Sequence, residues 1–326
     1  MLPCEINPGF KSSSRNDLQS FLSFKRSIGY KYERAAQMLL QLDRYLADHN
    51  IMNLDSEAMQ VWLKRHDDES NGTHYLRVSI YRQLALHLNR HDKTIPLPTC
   101  RTTLTSSFVP YIFTRQQIIE LLRAADRTPR KVNSSAYLMM PVMMRVLYCC
   151  GLRVSEATGL TVANLDLNRS RLSILHSKYD ISRTLPIHES LTDLLSRHLN
   201  TIYTATRPDD FVFPTTKMQR YSNVTVYEHF RRLLWECGIS HGGRGQGPRL
   251  HDLRHTFAVH SLQNLIAEDK DAYVFLPILA RYLGHKNIYE TEKYLRLTAE
   301  VYPELLEKVN SVLGDMQPEV EIYEAD

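Results

Sequence analysis

The chain is poor in the features that mark disulfide-stapled and zinc-binding proteins. It has five cysteines in 326 residues, and none of them forms a C-x-x-C pair. Cys149 and Cys150 are adjacent, a spacing that suits neither a zinc knuckle nor an ordinary disulfide. We therefore expect reduced, buried thiols, as in a cytoplasmic protein, and no bound metal.

The sequence also lacks a long hydrophobic run and a signal peptide. The longest apolar stretch, residues 136–151, contains Arg145 and is shorter than the roughly 20 residues that a membrane helix needs. The N-terminus does not show the basic, apolar and small-residue regions of a secretory leader. These absences predict a cytoplasmic protein without a membrane segment, and a buried helix at 136–151.

Charge is unevenly distributed, although the formal net charge is only +4. Residues 312–326 contain five acidic side chains and no Lys or Arg, so the other residues hold 40 basic and 31 acidic side chains, an excess of nine. A basic body suits a polyanionic partner such as nucleic acid. The acidic tail suits either a displaceable segment or a solvated chain end.

Apolar periodicity predicts an N-terminal helical domain over residues 1–95. Four segments between residues 16 and 91 repeat apolar residues at helical spacing, and none alternates as a strand would. One basic cluster stands out, which we interpret either as a DNA-contacting surface or as a solvated helix end. Its members are Lys25, Arg26, Lys31 and Arg34.

The remaining chain predicts a linker, a second domain and a tail. Residues 96–112 are rich in Pro, Thr and Ser without apolar periodicity, as in a linker, and a second domain over 113–311 begins with Thr114 as a helix N-cap. Residues 171–187 alternate apolar and polar positions around a polar turn, which predicts a β-hairpin. The fold class is therefore mainly α with a small β-sheet (α+β), followed by an acidic tail at 312–326.

The segment LHDLRHTFAVH, residues 250–260, has the strongest chemical pattern in the chain. It places His251 and Arg254 about one helical turn apart on the same face. Downstream, the triplet LGH ends at His285, and Tyr294 follows nine residues later. Two histidines, an arginine and a tyrosine form a suitable set for binding a phosphodiester and attacking it with a phenol.

Charged residues upstream and at the flanks extend this pattern. In GLRVSEATGL, Arg153 and Glu156 are three apart, which allows either a structural ion pair or a site group held by a carboxylate. Lys178 lies in the hairpin turn, where it either reaches a ligand or faces solvent. The glycine-rich HGGRGQG lacks the phosphate-loop pattern, so we interpret it as a flexible approach to the next helix, with Arg244 and Arg249 as candidate phosphate contacts.

In their order along the chain, these residues resemble the six catalytic positions of the tyrosine recombinases of the phage integrase family. The resemblance covers about residues 113–300 and rests on GLRVSEATGL, HSKYDISRTLPI, HDLRHTFAVH and LGH followed by tyrosine. Tyr179 departs from the pattern, because the family commonly has Gly after the hairpin lysine. The matching positions are Arg153, Lys178, His251, Arg254, His285 and Tyr294.

The resemblance implies a reaction in which the tyrosine becomes covalently attached to DNA. Tyr294 would attack the scissile phosphate and form a 3′-phosphotyrosine. Lys178 would protonate the departing 5′ oxygen, and His251 would assist proton transfer at the tyrosine.

The resemblance also implies how the phosphate is held. Arg153 and Arg254 would bind its non-bridging oxygens, and His285 would donate a hydrogen bond to it. Glu156 would support these groups, and Arg183, which follows the hairpin turn, would contact DNA. No metal and no cofactor would be required.

The implied partner is a double-stranded DNA recombination site. The N-terminal domain resembles the core-binding domain that completes a clamp around DNA. Recombination of two duplexes implies a homo-tetramer assembled by exchange of a C-terminal helix, for which residues 302–312 offer an apolar stripe; this stripe alternatively packs on its own domain. The expected setting is a bacterial mobile element, either a transposon or a phage, with the protein associated with the nucleoid.

Three other functions are compatible with parts of the pattern. A type IB topoisomerase-like enzyme would use the same chemistry without a partner duplex, and a catalytically silent DNA-binding regulator would use only the basic surface. The spacing of His251 and His255 also resembles a zinc-protease helix. However, Asp252 stands where that motif needs its glutamate base, and Arg254 would repel the metal.

Overall fold

The computed structural model describes residues 9–54, 57–99, 109–175, 182–242 and 247–301. The chain divides into two compact units, Met1–Phe108 and Val109–Asp326. The described part of the first unit is helical, whereas the second unit combines helices with a small sheet. This architecture confirms the predicted class, mainly α with a small β-sheet.

The described part of the first unit contains the four predicted helices. They are α1 (Arg15–Ser27), α2 (Glu33–Asp48), α3 (Glu57–Leu63) and α4 (Asn71–Asn89). Ser70 caps α4 by accepting a hydrogen bond from the backbone N–H of Thr73. The apolar faces of the helices meet in one core that includes Leu18, Phe21, Leu39, Leu42, Tyr81 and Leu84.

A buried ion pair ties the connection between α3 and α4 to the first unit. The guanidinium of Arg77, on α4, binds the carboxylate of Glu69, and both side chains are less than 10% exposed. The same guanidinium donates to the carbonyl of Lys64 at 2.6 Å and lies 5.3 Å from the ring centre of Trp62. This pair therefore fixes the loop that precedes α4.

The second unit begins with helices and a three-stranded sheet. The first helices are α5 (Arg115–Asp126), α6 (Ala136–Cys149) and α7 (Val154–Thr158), and the sheet has strands β1 (Leu165–Asp166), β2 (Arg171–Ile174) and β3 (Arg183–Pro186). The strands are antiparallel in the order β1-β2-β3, and β2 and β3 confirm the predicted hairpin strands. The sequence did not predict β1, because two residues are too few to show an alternation.

The rest of the unit is helical and contains the segments with the chemical motifs. Its helices are α8 (Glu189–Ile202), α9 (Asn223–Glu236), α10 (Asp252–Ala267), α11 (Ala272–Leu283) and α12 (Tyr289–Val301). Among the described helices, none combines the length and the hydropathy needed to cross a membrane.

Two apolar clusters stabilise the second unit. Helix α6 is buried along most of its length and joins α5, α8, α9 and the sheet in one cluster. Thr114 caps α5, as predicted, and the structure adds that it forms a capping box with Gln117. A second cluster joins α10, α11 and α12 and contains the buried ring of Tyr294. Of the cysteines that the structure describes, Cys150 is buried, Cys237 is partly exposed and Cys149 is exposed, which corrects the prediction of buried thiols.

Candidate active site

Three arginine side chains meet at the C-terminal end of α11. Arg183, Arg254 and Arg153 donate to three successive carbonyls, those of residues 282, 283 and 284, at 2.8, 2.5 and 3.3 Å respectively. The last carbonyls of a helix have no partner within the helix and carry the negative end of its dipole, so they favour cations. These carbonyls therefore bring together three parts of the chain that are distant in sequence.

Gly284 ends α11 and places the histidine that follows it. Its φ of +68° lies in the left-handed region, and a Cβ at this position would stand 2.9 Å from Nη1 of Arg183. His285 comes next, and its Nδ1 is 2.7 Å from the hydroxyl of Thr291. The glycine of the LGH motif is therefore required both by the backbone turn and by the close approach of an arginine.

A single carboxylate, that of Glu156, is shared by two of the arginines. It accepts hydrogen bonds from Nη1 of Arg153 at 2.8 Å and from Nη1 and Nη2 of Arg183 at 3.1 and 2.9 Å. Burial raises the pKa of Glu156, but the hydrogen bonds and charges of Arg183 and Arg153 outweigh burial and hold the pKa below its ordinary value. The sequence left open whether the pair of Arg153 and Glu156 is structural or functional. In the structure, the pair lies where the three arginines meet.

The structure contradicts the prediction that Arg183 contacts DNA. Its side chain is 5% exposed, and its Nε and both Nη atoms donate to Tyr282 and Glu156. Strand alternation could have shown this in advance, because Arg183 and Leu185 lie on the same, inward face of β3. The hairpin arginine is therefore an internal contact of the second unit.

Arg254 is almost fully buried, with 1% of its surface exposed. Besides its contact at the end of α11, it donates to the carbonyl of Gly151 at 2.8 Å. Burial lowers the pKa of Arg254 to about 10, and the charge of Arg153 acts in the same direction. The guanidinium remains protonated at neutral pH, so it stands as a preorganised cation in a desolvated place.

The phenol of Tyr294 is buried beside this cluster. Its hydroxyl lies 2.8 Å from Nδ1 of His255, and the positive charge of Arg254 acts on it. Burial raises the pKa of Tyr294 to about 12, although the charges of Arg254 and Arg153 oppose that rise. The ring of His285 stacks on the tyrosine ring at 6.1 Å between centroids.

His255 is a candidate site residue that the sequence did not single out for phosphate chemistry. It appeared only as a possible zinc ligand, whereas the described part of the chain contains no cluster of three metal-binding side chains. Burial, together with the neighbouring His251 and Lys293, lowers the pKa of His255 to about 3, so its imidazole is neutral at neutral pH. Its place next to Arg254 in HDLRH was the available signal, but only the packing of α10 on α12 brings it to the hydroxyl.

His251 lies at the N-terminal end of α10, directly before its first residue. Its ring stands perpendicular to that of His255, with 4.8 Å between centroids. The imidazole in contact with the Tyr294 hydroxyl is thus that of His255, one turn further along the helix. His251 belongs to the same group of rings but in an outer position.

Other predicted site residues lie elsewhere or outside the described residues. Lys178, Arg244 and the segments 302–312 and 312–326 fall outside them. Arg249 precedes α10, and its backbone N–H donates to the carboxylate of Asp252 at 2.7 Å.

The predicted basic cluster of the first unit lies around the end of α1 and the start of α2. The ammonium of Lys25 lies 5.5–5.9 Å from the ring centres of Phe21, Tyr30 and Tyr32. The cluster comprises Lys25, Arg26, Lys31 and Arg34. Its role in DNA binding stays a prediction.

Comparisons with known proteins agree on one family. The sequence model of the phage integrase family matches residues 112–300. A putative integrase/recombinase of Sinorhizobium fredii, y4rB, is 25% identical over 311 residues, which cover 91% of this chain and 97% of that protein.

Two solved structures share the fold. One is a XerH site-specific recombinase bound to a palindromic difH substrate, with a TM-score of 0.65 and 18% identity, covering 92% of this chain and 84% of that one. The other is a lambda integrase tetramer bound to a Holliday junction, with a TM-score of 0.63 and 17% identity, covering 86% and 76%. The family model spans more than half of the sequence, and the arginines, histidines and tyrosine of the motifs meet in one site. The chain therefore belongs to the phage integrase family of tyrosine recombinases, which are enzymes of site-specific DNA recombination.

Proposed function

We propose that this protein is a site-specific recombinase of a mobile element that cleaves and rejoins DNA through a 3′-phosphotyrosine at Tyr294. The observation that carries the proposal is the environment of the Tyr294 hydroxyl. His255 lies 2.8 Å from it, and the positive charges of Arg254 and Arg153 both act on the phenol. A buried phenol among cations is suited to attack a bound phosphodiester.

The proposed cleavage step balances without a redox partner. The Tyr294 oxygen forms a bond to the scissile phosphorus while the bond from phosphorus to the 5′ oxygen breaks. The phenol proton passes to the imidazole of His255, which contacts the hydroxyl, and the 5′ oxygen receives a proton from Lys178. Because the phosphotyrosine link keeps the energy of the phosphodiester, the 5′ hydroxyl of another strand reverses the step without ATP.

Arg153 and Arg254 stabilise the negative charge that develops on the phosphate. A guanidinium has five N–H donors in a planar fork, so each arginine can hold a carbonyl at the end of α11 and still bind phosphate oxygens. Donors fixed before the reaction need no reorganisation during it. We propose that these cations take the place of a divalent metal, and that His285 and Glu156 complete the site.

The proposal extends to the DNA and the assembly. The substrate is double-stranded DNA, with the first unit and its basic cluster (Lys25, Arg26, Lys31 and Arg34) as the second half of a clamp, and Arg244 and Arg249 as phosphate contacts. Exchange of two duplexes requires four cut strands and therefore four protomers. Residues 302–312 would link neighbouring protomers.

The test is capture of a covalent protein–DNA adduct. Wild-type protein and Tyr294→Phe would be incubated in a chelator with nicked duplexes taken from the ends of the element that encodes the gene, and run on a denaturing gel. We expect an adduct with wild type only, and equal binding of the DNA by both proteins. An adduct with Tyr294→Phe, or none with wild type despite tight binding, would refute the proposal.

Two further results would redirect the proposal. Relaxation of a supercoiled plasmid in the absence of any partner duplex would indicate a topoisomerase-like enzyme. Lys178→Ala should lose about 10²–10⁴-fold in the rate of adduct formation, the usual contribution of a general acid. A wild-type rate in that variant would remove Lys178 from the mechanism.

A further inference from the structure

Arg183 is a buried arginine to which the cleavage step assigns no task. It begins β3, and its guanidinium is held by Glu156 on one side and by the carbonyl of Tyr282 on the other. A desolvated arginine with three engaged donor atoms has a strongly determined position. Its effect on the reaction must therefore pass through the groups it touches.

The first of these groups is the carboxylate that also holds Arg153. Glu156 receives both Nη atoms of Arg183 but only one Nη atom, together with the backbone N–H, of Arg153. If Glu156 had Arg153 as its only cation, the two charges would cancel. Because Arg183 neutralises the carboxylate, the charge of Arg153 remains available for a phosphate.

The second group is the end of α11, where the backbone turns toward His285. Arg183 donates to the carbonyl of Tyr282 at 2.8 Å, and its guanidinium fills the space beside Gly284 that a Cβ would occupy. Arg153 binds the carbonyl of the same glycine at 3.3 Å. Arg183 thus contacts the supports of two different catalytic motifs, and it lies on the strand that follows the predicted lysine turn.

We propose that Arg183 is a positioning residue of the recombination reaction, which sets the place and the free charge of Arg153 and the place of His285 through Glu156 and the end of α11. This inference rests on the proposed function. Without Arg183, the buried carboxylate would draw both ends of the Arg153 guanidinium to itself. A displacement of about 1 Å in such a group lowers a rate by about 100-fold.

The experiment measures single-turnover adduct formation on the duplex that wild-type protein cleaves. We expect Arg183→Met to slow adduct formation by about 100-fold. DNA binding is measured in proteins that also carry Tyr294→Phe and therefore do not cleave, and there Arg183→Met should change the Kd for the same duplex by less than about threefold. Arg183→Lys should be intermediate, because lysine supplies the charge without the planar fork. The matched control is Arg145→Met, which removes a similar two-point contact with Asp126 at 2.7 Å away from the site and should leave the rate unchanged.

A double variant separates positioning from general stability. Arg183→Met with Glu156→Gln removes the buried carboxylate charge together with its partner, which also protects folding. Since the neutral amide that replaces the carboxylate no longer competes for the charge of Arg153, we expect the double variant to react about tenfold faster than Arg183→Met, within the range of coupling between contacting residues. Melting temperatures measured on all variants show that each is folded at the assay temperature.

The outcomes are distinct. A wild-type rate in Arg183→Met, or equal loss of rate and DNA affinity in folded Arg183→Met, would overturn the inference while leaving the proposed function intact. No recovery in the double variant would also overturn it. The comparison of wild type with Tyr294→Phe tests the proposed function separately, since it does not involve Arg183.

Discussion

The two units each contain a buried arginine–glutamate pair, and the two pairs differ in charge balance. In the first unit, Arg77 and Glu69 neutralise each other, and the arginine packs on Trp62. In the second unit, Glu156 is shared by two arginines, and a third stands at the same helix end. We refer to this group, which consists of Arg153, Arg183, Arg254 and Glu156, as the arginine cluster.

The difference separates a stabilising contact from a site. A buried ion pair is weak evidence for function, because its attraction does little more than offset the cost of desolvating both charges. A cluster with three arginines and one carboxylate is only partly compensated, because the three positive charges exceed the one negative charge by two. Under the proposed function, the scissile phosphate supplies the negative charge that balances this excess.

The largest expected effect is on the stability of the first unit. Arg77→Met leaves Glu69 buried without its arginine, which typically costs about 3–5 kcal/mol. The fluorescence of the buried Trp62 would follow urea unfolding of this unit, since the other tryptophan, Trp235, is 86% exposed. A loss below about 1 kcal/mol, the size expected of a surface pair, would show that the pair does not hold the loop.

The control for this prediction removes both charges. Arg77→Met with Glu69→Gln should recover most of the stability, because no unpaired buried charge remains. Neither variant changes the arginine cluster, so the single-turnover rate of folded, DNA-saturated protein should equal that of wild type.

The next effect concerns Arg254, whose two Nη atoms hold two separate carbonyls. Arg254→Lys keeps the charge but loses the fork, and we expect adduct formation to fall by about 10²–10³-fold, the usual effect of removing one preorganised donor. Single-turnover kinetics on the cleaved duplex would measure it. A rate within about threefold of wild type would mean that charge alone suffices, in contrast to the expected specific geometry.

A smaller effect is expected for His255, which holds the Tyr294 hydroxyl at 2.8 Å. His255→Phe removes this contact, and loss of orientation should slow adduct formation by about 100-fold or somewhat less. His260 offers a matched control, because its Nδ1 lies 2.9 Å from the hydroxyl of Tyr148, outside the site. Equal rates for His255→Phe and His260→Phe would contradict a specific role for His255.

The smallest effect is a pH dependence of stability in the second unit. Burial, with the charges of Arg254 and Lys293, lowers the pKa values of His255 and His285 to about 3. An imidazole with a folded pKa below its unfolded value of about 6.5 contributes stability above that value, and the contribution is lost as pH falls toward the folded pKa. At pH 5 we expect a loss on the order of 1 kcal/mol per imidazole.

Urea unfolding at pH 7 and at pH 5, monitored by hydrogen exchange in peptides of α10 and α12, would measure this loss. The double variant His255→Phe/His285→Phe should reduce the pH dependence. An unchanged dependence would assign the acid sensitivity to other groups.

Local chemistry in the sequence was enough to predict most helices and several side-chain contacts. Thr114 caps α5 and Glu156 pairs with Arg153 because the partners are three residues apart, a distance that a helix turn closes. Contacts between distant segments were less accessible. The sequence showed Arg183 and His255 as residues in motifs but did not show what they touch, because their partners lie 27 and 39 residues away.

The sequence by itself determined the residue types, the helical and strand periods, and Thr114 as the start of α5, since each depends on neighbouring residues. Only the tertiary structure decided that His255 contacts Tyr294, and that three arginines meet at the carbonyls of residues 282–284. The physical reason is that packing α10 on α12 sets the first contact. The meeting of the arginines depends on backbone carbonyls. Because every residue has one, the sequence does not indicate which carbonyls accept these hydrogen bonds.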